Sequence, residues 1–408
     1  MRPLAIIGLA FTLLLPVAGA FAASEMHGRL YFEDYYSSDT GSDLFQHLFT
    51  TRLRLDITKL NDDGSLAFHF DGRDRQNFGS YSSTTENDRI DAFNLDYAGE
   101  VWYLAAGRLW PKELSVERVD GVNVVAQKRG YGIGVFGGFK PDTYAEMFTA
   151  DYTSAGAYVF VKKDNLNSSL AFTQNGFKGG TDRQYVYGQT IYQPGGGVLA
   201  FGSVTIDINQ ETMAPGLTSG IFELSYRPDA KKGIIAGYNQ FRAYQLWESM
   251  DDQVDTGRQE SFYLSGNYRF REKYNVYARV ERQTRDFESI AEEDKKAMNY
   301  KAGVNLDNMA GSGVNADISA FLNDGFGTRY ATYSADFSRQ FMDKIDAAMS
   351  ASYTHHSYSQ SDADSVLAYG LTGNYYISKK WSLSLAYNGD CGSEYCTNSL
   401  FTRTAYRF

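Results

Sequence analysis

Hydrophobic and polar residues alternate along most of the chain. In one clear run, Trp381, Leu383, Leu385 and Tyr387 are separated by small or polar residues. This period of two predicts β-strands, and a helical period of 3.6 does not fit it. The runs extend for roughly 10–13 residues, which suits a tilted strand crossing a bilayer better than the ~5–6 residues usual in soluble sheets.

The connections between these runs alternate in length. Short turns rich in Gly, Asn, Asp and Lys lie at Asn61–Gly64, Gly195–Gly197, Pro228–Lys231, Arg271–Lys273 and Ser378–Lys380. Longer polar loops lie between them, at Phe78–Asp88, Gln210–Leu217, Trp247–Gly257, Phe287–Asp294 and Gln360–Asp364. Tight turns on one side and longer loops on the other are typical of membrane-spanning barrels. We therefore predict an all-β fold, a single transmembrane antiparallel up-and-down β-barrel with about 22 strands, an even number in the range ~18–22.

The N-terminus has the features of a secretory signal peptide. A basic start at Arg2 precedes an apolar stretch over Leu4–Leu15, and Ala20-Phe21-Ala22 fits a small-residue cleavage site. We predict a signal peptide over residues 1–22 and one barrel domain over residues 23–408. An uncleaved anchor helix is the alternative, although the stretch is short and lacks a stop-transfer pattern.

The last residues carry a family resemblance. Leu400, Thr402, Thr404, Tyr406 and Phe408 alternate onto one face, with arginines on the other. This ending resembles the C-terminal signal of bacterial outer-membrane β-barrels, in which the final aromatic residue and the one two positions before it are read by the barrel-assembly machinery. The resemblance implies a bacterial outer-membrane location, lipid and lipopolysaccharide as surroundings, and that machinery as a partner. It identifies no narrower family, and a secreted soluble propeller or sandwich is the alternative.

Charged residues occupy the polar face of two consecutive predicted strands. If Leu53 and Phe70 face lipid, the positions that alternate with them face the lumen. Counting from the Asn61–Gly64 turn then places Asp56 near His69, Arg54 near Asp71 and Arg52 near Arg73, to within one residue. The candidate pore-lining residues are Arg52, Arg54, Asp56, His69, Asp71, Arg73, Arg75, Arg279 and Glu281. Such mixed charge is typical of the wall of a water-filled pore. Two interpretations stay open, a selectivity surface for small anionic solutes or a hydrated wall whose paired charges only hold the barrel together.

A glycine-rich run lies between Gly130 and Phe139. It lacks the strand–turn–helix context and the Lys-Ser/Thr ending of a phosphate-binding loop. Because its glycines alternate with Tyr131, Ile133 and Val135, we predict a strand whose lumen face is nearly bare. A bare face allows an infolded loop or a partner to approach the wall, and glycine that serves only strand curvature is the alternative.

The remaining chemistry of the sequence is sparse. The two cysteines, Cys391 and Cys396, lie close together in a predicted outer loop of a secreted chain, which predicts a disulfide. His355 and His356 are the only candidates for a catalytic histidine at the rim, and neighbouring strand residues point to opposite faces. We predict no enzyme activity, no metal and no cofactor. The formal net charge of −10 argues against a nucleic-acid partner.

The predicted function is an outer-membrane, porin-like channel that passes small hydrophilic solutes or ions by diffusion. A structural sheath that holds a periplasmic partner in the lumen, such as a multihaem cytochrome, is the alternative, because the bare glycine strip permits it. The longer loops are acidic, with Asp251, Asp252 and Asp255 in one of them. These loops either bind divalent cations at a lipopolysaccharide surface or only keep the rim hydrated.

Overall fold

A computed structural model describes residues 24–42, 44–80, 88–114, 117–142, 148–210, 213–249, 257–287, 291–358, 364–393 and 395–408. The predicted signal peptide and the acidic loop residues Asp251, Asp252 and Asp255 lie outside these ranges. No helix in the described part of the chain is long and apolar enough to cross a membrane.

The described residues form 22 strands, which confirms the predicted all-β class. In chain order they are β1 Glu25–Asp39, β2 Phe45–Thr58, β3 Leu66–Asn77, β4 Asp88–Ala98, β5 Trp102–Leu109, β6 Val119–Lys128, β7 Tyr131–Phe139, β8 Tyr152–Lys163, β9 Leu166–Phe177, β10 Gly180–Gly195, β11 Val198–Ile208, β12 Pro215–Asp229, β13 Lys232–Arg242, β14 Arg258–Phe270, β15 Tyr274–Asp286, β16 Lys296–Leu306, β17 Val314–Gly325, β18 Thr328–Phe341, β19 Ile345–Tyr358, β20 Asp364–Tyr376, β21 Trp381–Cys391 and β22 Cys396–Arg407. Two short 3-10 helices lie in connections: Glu292–Lys295 between β15 and β16, and Met309–Gly311 between β16 and β17.

Each strand pairs antiparallel with the next in sequence, and β22 pairs with β1. The sheet is therefore a closed up-and-down barrel, as the alternation and the turn signals predict. Closure leaves no unpaired sheet edge, which is the condition for a sheet to cross a lipid bilayer.

The barrel closes where the two ends of the chain meet. The N–H and the carbonyl of Gly28 exchange hydrogen bonds of 3.1 Å with the carbonyl and the N–H of Phe408. The Phe408 ring lies over the Cα of Gly28, where a Cβ would come within 2.2 Å of a ring carbon. We call this end of the barrel the proximal end and the opposite end the distal end.

Connection length differs between the two ends. The longest distal connection spans residues 243–257, whereas the longest proximal connections span 59–65 and 307–313. Two distal connections, 178–179 and 326–327, are nonetheless tight turns. The predicted alternation of short turns and long loops therefore applies to most hairpins, with these two exceptions.

The two faces of the strands differ in chemistry. One face carries large exposed apolar side chains, including Phe32, Phe93, Ile133 and Leu385. The other face carries arginines, carboxylates and hydroxyls that contact one another across neighbouring strands. In a closed transmembrane barrel the apolar band faces lipid, so the polar face lines the lumen.

The lumen face of the glycine-rich strand β7 is not bare, because aromatic rings from β8 cover it. Tyr158 lies directly opposite Gly134, and its ring occupies the space of a Gly134 side chain. The Phe160 ring covers Gly132 in the same way. The Tyr158 hydroxyl continues across β7 and donates a 3.0 Å hydrogen bond to the Asn123 side chain on β6. These glycines thus make room for rings that connect three strands.

Candidate functional site

The β2–β3 turn sets the register of the charged strands. The Asn61 side chain accepts a 2.8 Å hydrogen bond from the Leu66 N–H, and its amide donates one of 2.8 Å to Ser65. Gly64 supplies a positive φ of 71°. Hydrogen bonds from the Ser65 side chain and backbone hold the pKa of Asp63 below its ordinary value. This turn therefore fixes which lumen residues of β2 and β3 face one another.

The register places Asp56 opposite His69, Arg54 opposite Asp71 and Arg52 opposite Arg73. These are the positions that counting from the turn predicts. The strongest ion pair is diagonal, however, because Arg52 binds Asp71 through two hydrogen bonds of 2.7 Å. Arg54 points more freely into the lumen, since its side chain is 60% exposed and lies 3.8 Å from Asp56.

Arginines from three strands and one connection gather on this wall. Arg89 pairs with Asp91 on β4, and Arg118 lies 3.4 Å from Asp91. The set that we call the arginine wall comprises Arg52, Arg73, Arg75, Arg89 and Arg118. Within the described ranges, these five positive charges are paired with two carboxylates, Asp71 and Asp91, so positive charge predominates among them. Arg108 holds Asp120 through two bonds of 2.6 Å, but it lies directly opposite Phe93 and so belongs to the other face of the sheet.

Arg73 and Arg75 differ from the rest of the arginine wall. Within the described part of the chain, neither is in an ion pair, and the Arg73 Nε is buried without a hydrogen-bond partner. Arg75 donates a 3.2 Å hydrogen bond to the Thr50 hydroxyl. These two side chains therefore contribute positive charge that no ion pair neutralises, because the carboxylate that attracts Arg73, Asp91, is already paired with Arg89.

His69 lies between two carboxylates near the proximal side of the wall. Its Nδ1 is 2.7 Å from Asp56, and its Nε2 is 2.7 Å from Asp96 on β4. This arrangement ties three neighbouring strands together and occupies both nitrogens of the ring. His69, Asp56 and Asp96 therefore form a structural link at the edge of the arginine wall.

The connection between β5 and β6 folds into the barrel. It joins the distal ends of its strands, yet Lys112 reaches the proximal part of both. The Lys112 ammonium donates a 3.0 Å hydrogen bond to Gln127 near the end of β6 and lies 4.5 Å from the Tyr103 ring near the start of β5. We call the described residues of this connection, 110–114 and 117–118, the infolded segment.

Glu117 fastens the infolded segment to the wall. Its carboxylate is 4% exposed and accepts hydrogen bonds from the Tyr185 hydroxyl on β10, at 2.7 Å, and from the Asn175 amide on β9, at 2.9 Å. The Lys140 ammonium lies 3.8 Å away. These hydrogen bonds hold the segment firmly, because breaking them would leave buried donors and a buried carboxylate with neither a protein partner nor water.

Apolar packing lies beside this anchor. Leu114 and Val119 belong to one buried cluster with Phe136, Tyr158 and Tyr185. The lumen-facing aromatic residues of β7, β8 and β10 thus provide an apolar floor for the infolded segment. The glycines of β7 and β8 give these rings their space, which accounts for the unusual composition of this part of the sequence.

The far wall carries the other predicted lumen pair. Arg279 on β15 is 2.9 Å from Glu281, and its guanidinium lies 3.8 Å from the Tyr263 ring. Tyr263 donates a 2.7 Å hydrogen bond to Glu223 on β12. The charges here are mixed and locally paired, so this wall contrasts with the arginine wall.

The other predicted residues lie away from the arginine wall. Tyr406 and Phe408 lie on the lipid-facing side of the closing seam, and the Tyr406 ring packs against Trp381 with their ring centroids 4.6 Å apart. The His355 ring is 3.1 Å from the Ser365 hydroxyl, and the His356 ring packs against the Tyr330 ring with their centroids 5.3 Å apart. Within the described residues, no group of three or more His, Cys, Asp or Glu is arranged to hold a metal ion.

A disulfide joins Cys391 and Cys396 across the ends of the last hairpin. The closed loop is short, so its entropic contribution to stability is about 2 kcal/mol. We expect the Cys391→Ser, Cys396→Ser double variant to lose about that much unfolding free energy in urea while keeping its conductance. A change in conductance at unchanged stability would contradict a purely structural role.

The infolded segment and its anchor were not expected at this position from the sequence. The only signal is the presence of Trp110, Pro111 and Leu114 in a connection that should be polar. Glu117 gives no signal of its own, because its partners Asn175 and Tyr185 lie 58 and 68 residues away.

Comparison with known proteins yields structural likeness without sequence relatives. No family model and no curated protein matches the chain. The ferric enterobactin receptor PfeA of Pseudomonas aeruginosa is similar over 94% of this chain and 80% of its own, at 10% identity and a TM-score of 0.58. OpdL and OpdQ, also of Pseudomonas aeruginosa, match 95% and 94% of this chain and 99% of their own at 10% and 11% identity, with TM-scores of 0.45 and 0.46. The likeness to PfeA shows that this chain shares the fold of a large transmembrane β-barrel.

Proposed function

We propose that this protein is a bacterial outer-membrane channel through which small hydrophilic solutes diffuse, with a preference for anions. The observation that carries the proposal is the arginine wall beside the infolded segment, inside a closed barrel with a polar inner face. A channel of this kind needs a hydrated lumen and charges at its narrow region. It needs no cofactor and no catalytic group.

The same features support a location in the bacterial outer membrane. Both described chain ends lie at the proximal end, which we assign to the periplasm, so the longer distal connections face outward. Lipid and lipopolysaccharide then surround the apolar band, and the barrel-assembly machinery reads Tyr406 and Phe408 before the strand pairs with β1. Cleavage after Ala22 completes this proposal.

Electrical recording tests the channel directly. The purified, refolded protein is inserted in a planar bilayer, and single-channel current is measured with the same salt on both sides and then under a salt gradient. We expect stable openings of one size, and a reversal potential whose sign shows that anions are more permeant than cations. A correctly folded barrel that stays silent would show that the lumen is not an open path.

Neutralising the unpaired arginines should reduce the anion preference. A lumen charge about 7 Å from a passing ion contributes about 0.6 kcal/mol in water, so each charge is worth ~3-fold in relative permeability. We expect Arg73→Gln together with Arg75→Gln to shift the reversal potential toward cations. Arg329→Gln, on the lipid-facing side of β18 near the distal rim, is the matched control and should leave it unchanged. Equal shifts in both would mean that general surface charge sets the preference.

The alternative, a sheath around a periplasmic partner such as a multihaem cytochrome, gains no support from the structural comparisons. The infolded segment already fills part of the lumen beside the glycine-rich strand, where such a partner would approach. The channel remains the function that the lumen geometry favours.

A further inference from the structure

A cavity lies at the distal rim, away from the arginine wall. Its volume is about 260 Å³, and it lies between the ends of β10–β13 and the segment 243–249 that follows β13. Its lining includes Arg183, Asp207, Arg242, Tyr244, Gln245 and Trp247. Cavities of ~300–1,000 Å³ hold drug-sized ligands, so this one suits a single ring.

The segment 243–249 is fastened over the strands by a buried carboxylate. Asp182, at the start of β10, is 3% exposed. It accepts hydrogen bonds from the Glu248 and Ser249 N–H groups at 3.0 and 2.9 Å and from the Ser249 hydroxyl at 2.9 Å. The Trp247 N–H also donates to the Asp182 carbonyl at 3.1 Å. These bonds hold Trp247 in place as part of the cavity wall.

The charged groups of the cavity are already engaged. The Arg183 guanidinium lies between the Tyr185 and Tyr244 rings, at 4.4 and 3.4 Å, and it forms two hydrogen bonds to Asp207. Asp207 also accepts a hydrogen bond from Thr218. Arg242 interacts within the chain as well. A free anion would therefore have to compete with existing partners, which favours an uncharged ligand.

We propose that this cavity binds one neutral hexose ring. Tyr244 is 37% exposed, and with Trp247 it offers an aromatic surface for the C–H face of a sugar. Gln245 and Asn209 carry amide groups, each with two donor and two acceptor positions, of the kind that form hydrogen bonds with neighbouring hydroxyls. An apolar wall with a few placed polar groups is the usual composition of a small-molecule site.

The cavity also contacts the anchor of the infolded segment. Tyr185 stacks on Arg183 through its ring and donates its hydroxyl to Glu117. A sugar that displaces Arg183 would therefore disturb Tyr185, which holds the infolded segment in place through Glu117. The binding proposal itself does not depend on this contact, nor on whether the barrel conducts ions.

Fluorescence of the full-length protein in detergent tests the proposal. The probes are D-glucose, D-galactose and D-mannose, titrated separately into the millimolar range. The chain has 4 tryptophans, so Trp247→Phe identifies the signal that arises in the cavity. We expect a saturable change with at least one hexose, lost in Trp247→Phe, and an apparent affinity at least tenfold weaker in Tyr244→Ala.

Two controls keep the result interpretable. Tyr395→Ala removes an exposed aromatic residue from another distal connection and should bind as the parent does. Heat-modified mobility on gels shows that each variant is folded. No saturable change with any of the three hexoses, or one unaltered in Tyr244→Ala, would overturn the proposal. Saturation by sodium acetate without any by the hexoses would instead make the cavity an anion site and refute it.

Discussion

Glu117→Ala is expected to raise the single-channel conductance. The substitution leaves the Tyr185 hydroxyl and the Asn175 amide without their acceptor, and both residues are at most 3% exposed. Each buried unpaired group costs about 1–3 kcal/mol, and every ~1.4 kcal/mol is tenfold in an equilibrium constant. The infolded segment should therefore leave the wall often, and recordings should show larger, noisier openings than those of the parent.

The matched control for this variant lies in the same segment. Glu113 forms one ion pair, 3.2 Å from Lys162; its own side chain is 14% exposed, but the Lys162 side chain is 60% exposed and stays hydrated without it. Such a pair is worth about 0–1 kcal/mol, so Glu113→Ala should conduct nearly as the parent does. Glu117→Gln keeps a carbonyl acceptor and should be intermediate. If Glu117→Ala and Glu113→Ala give the same conductance, Glu117 does not position the segment.

Gly134→Ala is expected to destabilise the barrel by about 1–3 kcal/mol. A Cβ at Gly134 would lie 2.3 Å from the Tyr158 ring, which is 2% exposed and has no room to retreat. Moving the ring also weakens the hydrogen bond from Tyr158 to Asn123. Urea unfolding of the refolded protein, followed by tryptophan fluorescence, should show a lower midpoint at an unchanged slope.

Gly137→Ala is the control on the same strand. Its Cβ would meet Ala155 at 3.8 Å, an ordinary contact. The substitution should be neutral or slightly stabilising, because alanine reduces the entropy of the unfolded chain, an effect of ~0.4–1 kcal/mol. The two variants make the same substitution and are expected to differ in the sign of their effect. Equal destabilisation by both would show that the ring over Gly134 is not the cause.

The sequence predicted the barrel because its period and its turns are local properties. The alternation at Leu383 and Leu385 separates a lipid face from a lumen face in any register. The Asn61–Gly64 turn then sets the β2–β3 pairing, so Arg52 and Arg73 were correctly placed opposite each other from the sequence. In an up-and-down barrel each strand pairs with the next one in sequence and the last pairs with the first. The order of the strands in the sequence therefore already gives every pairing in the sheet.

The ion pairs between the lumen residues of β2 and β3 could not be predicted from the sequence. Arg52 prefers the diagonal Asp71, while Arg73 forms no ion pair among the described residues. The choice depends on side-chain reach and on Asp91 and Arg118, which arrive from β4 and from the infolded segment. The register of a hairpin therefore shows which side chains are neighbours. Residues from β4 and from the infolded segment decide which of these neighbours form ion pairs.

The sequence by itself thus determined the strand class, the approximate strand number, the two faces and the charged side of β2 and β3. Only the tertiary structure decided that the β5–β6 connection folds inward, that Glu117 reaches Tyr185, and that segment 243–249 encloses a cavity at the rim. The physical reason is the range of the interactions. Alternation and turn chemistry act between near neighbours in sequence, whereas a connection folds into the lumen only when distant strands offer both an apolar floor and hydrogen-bond partners.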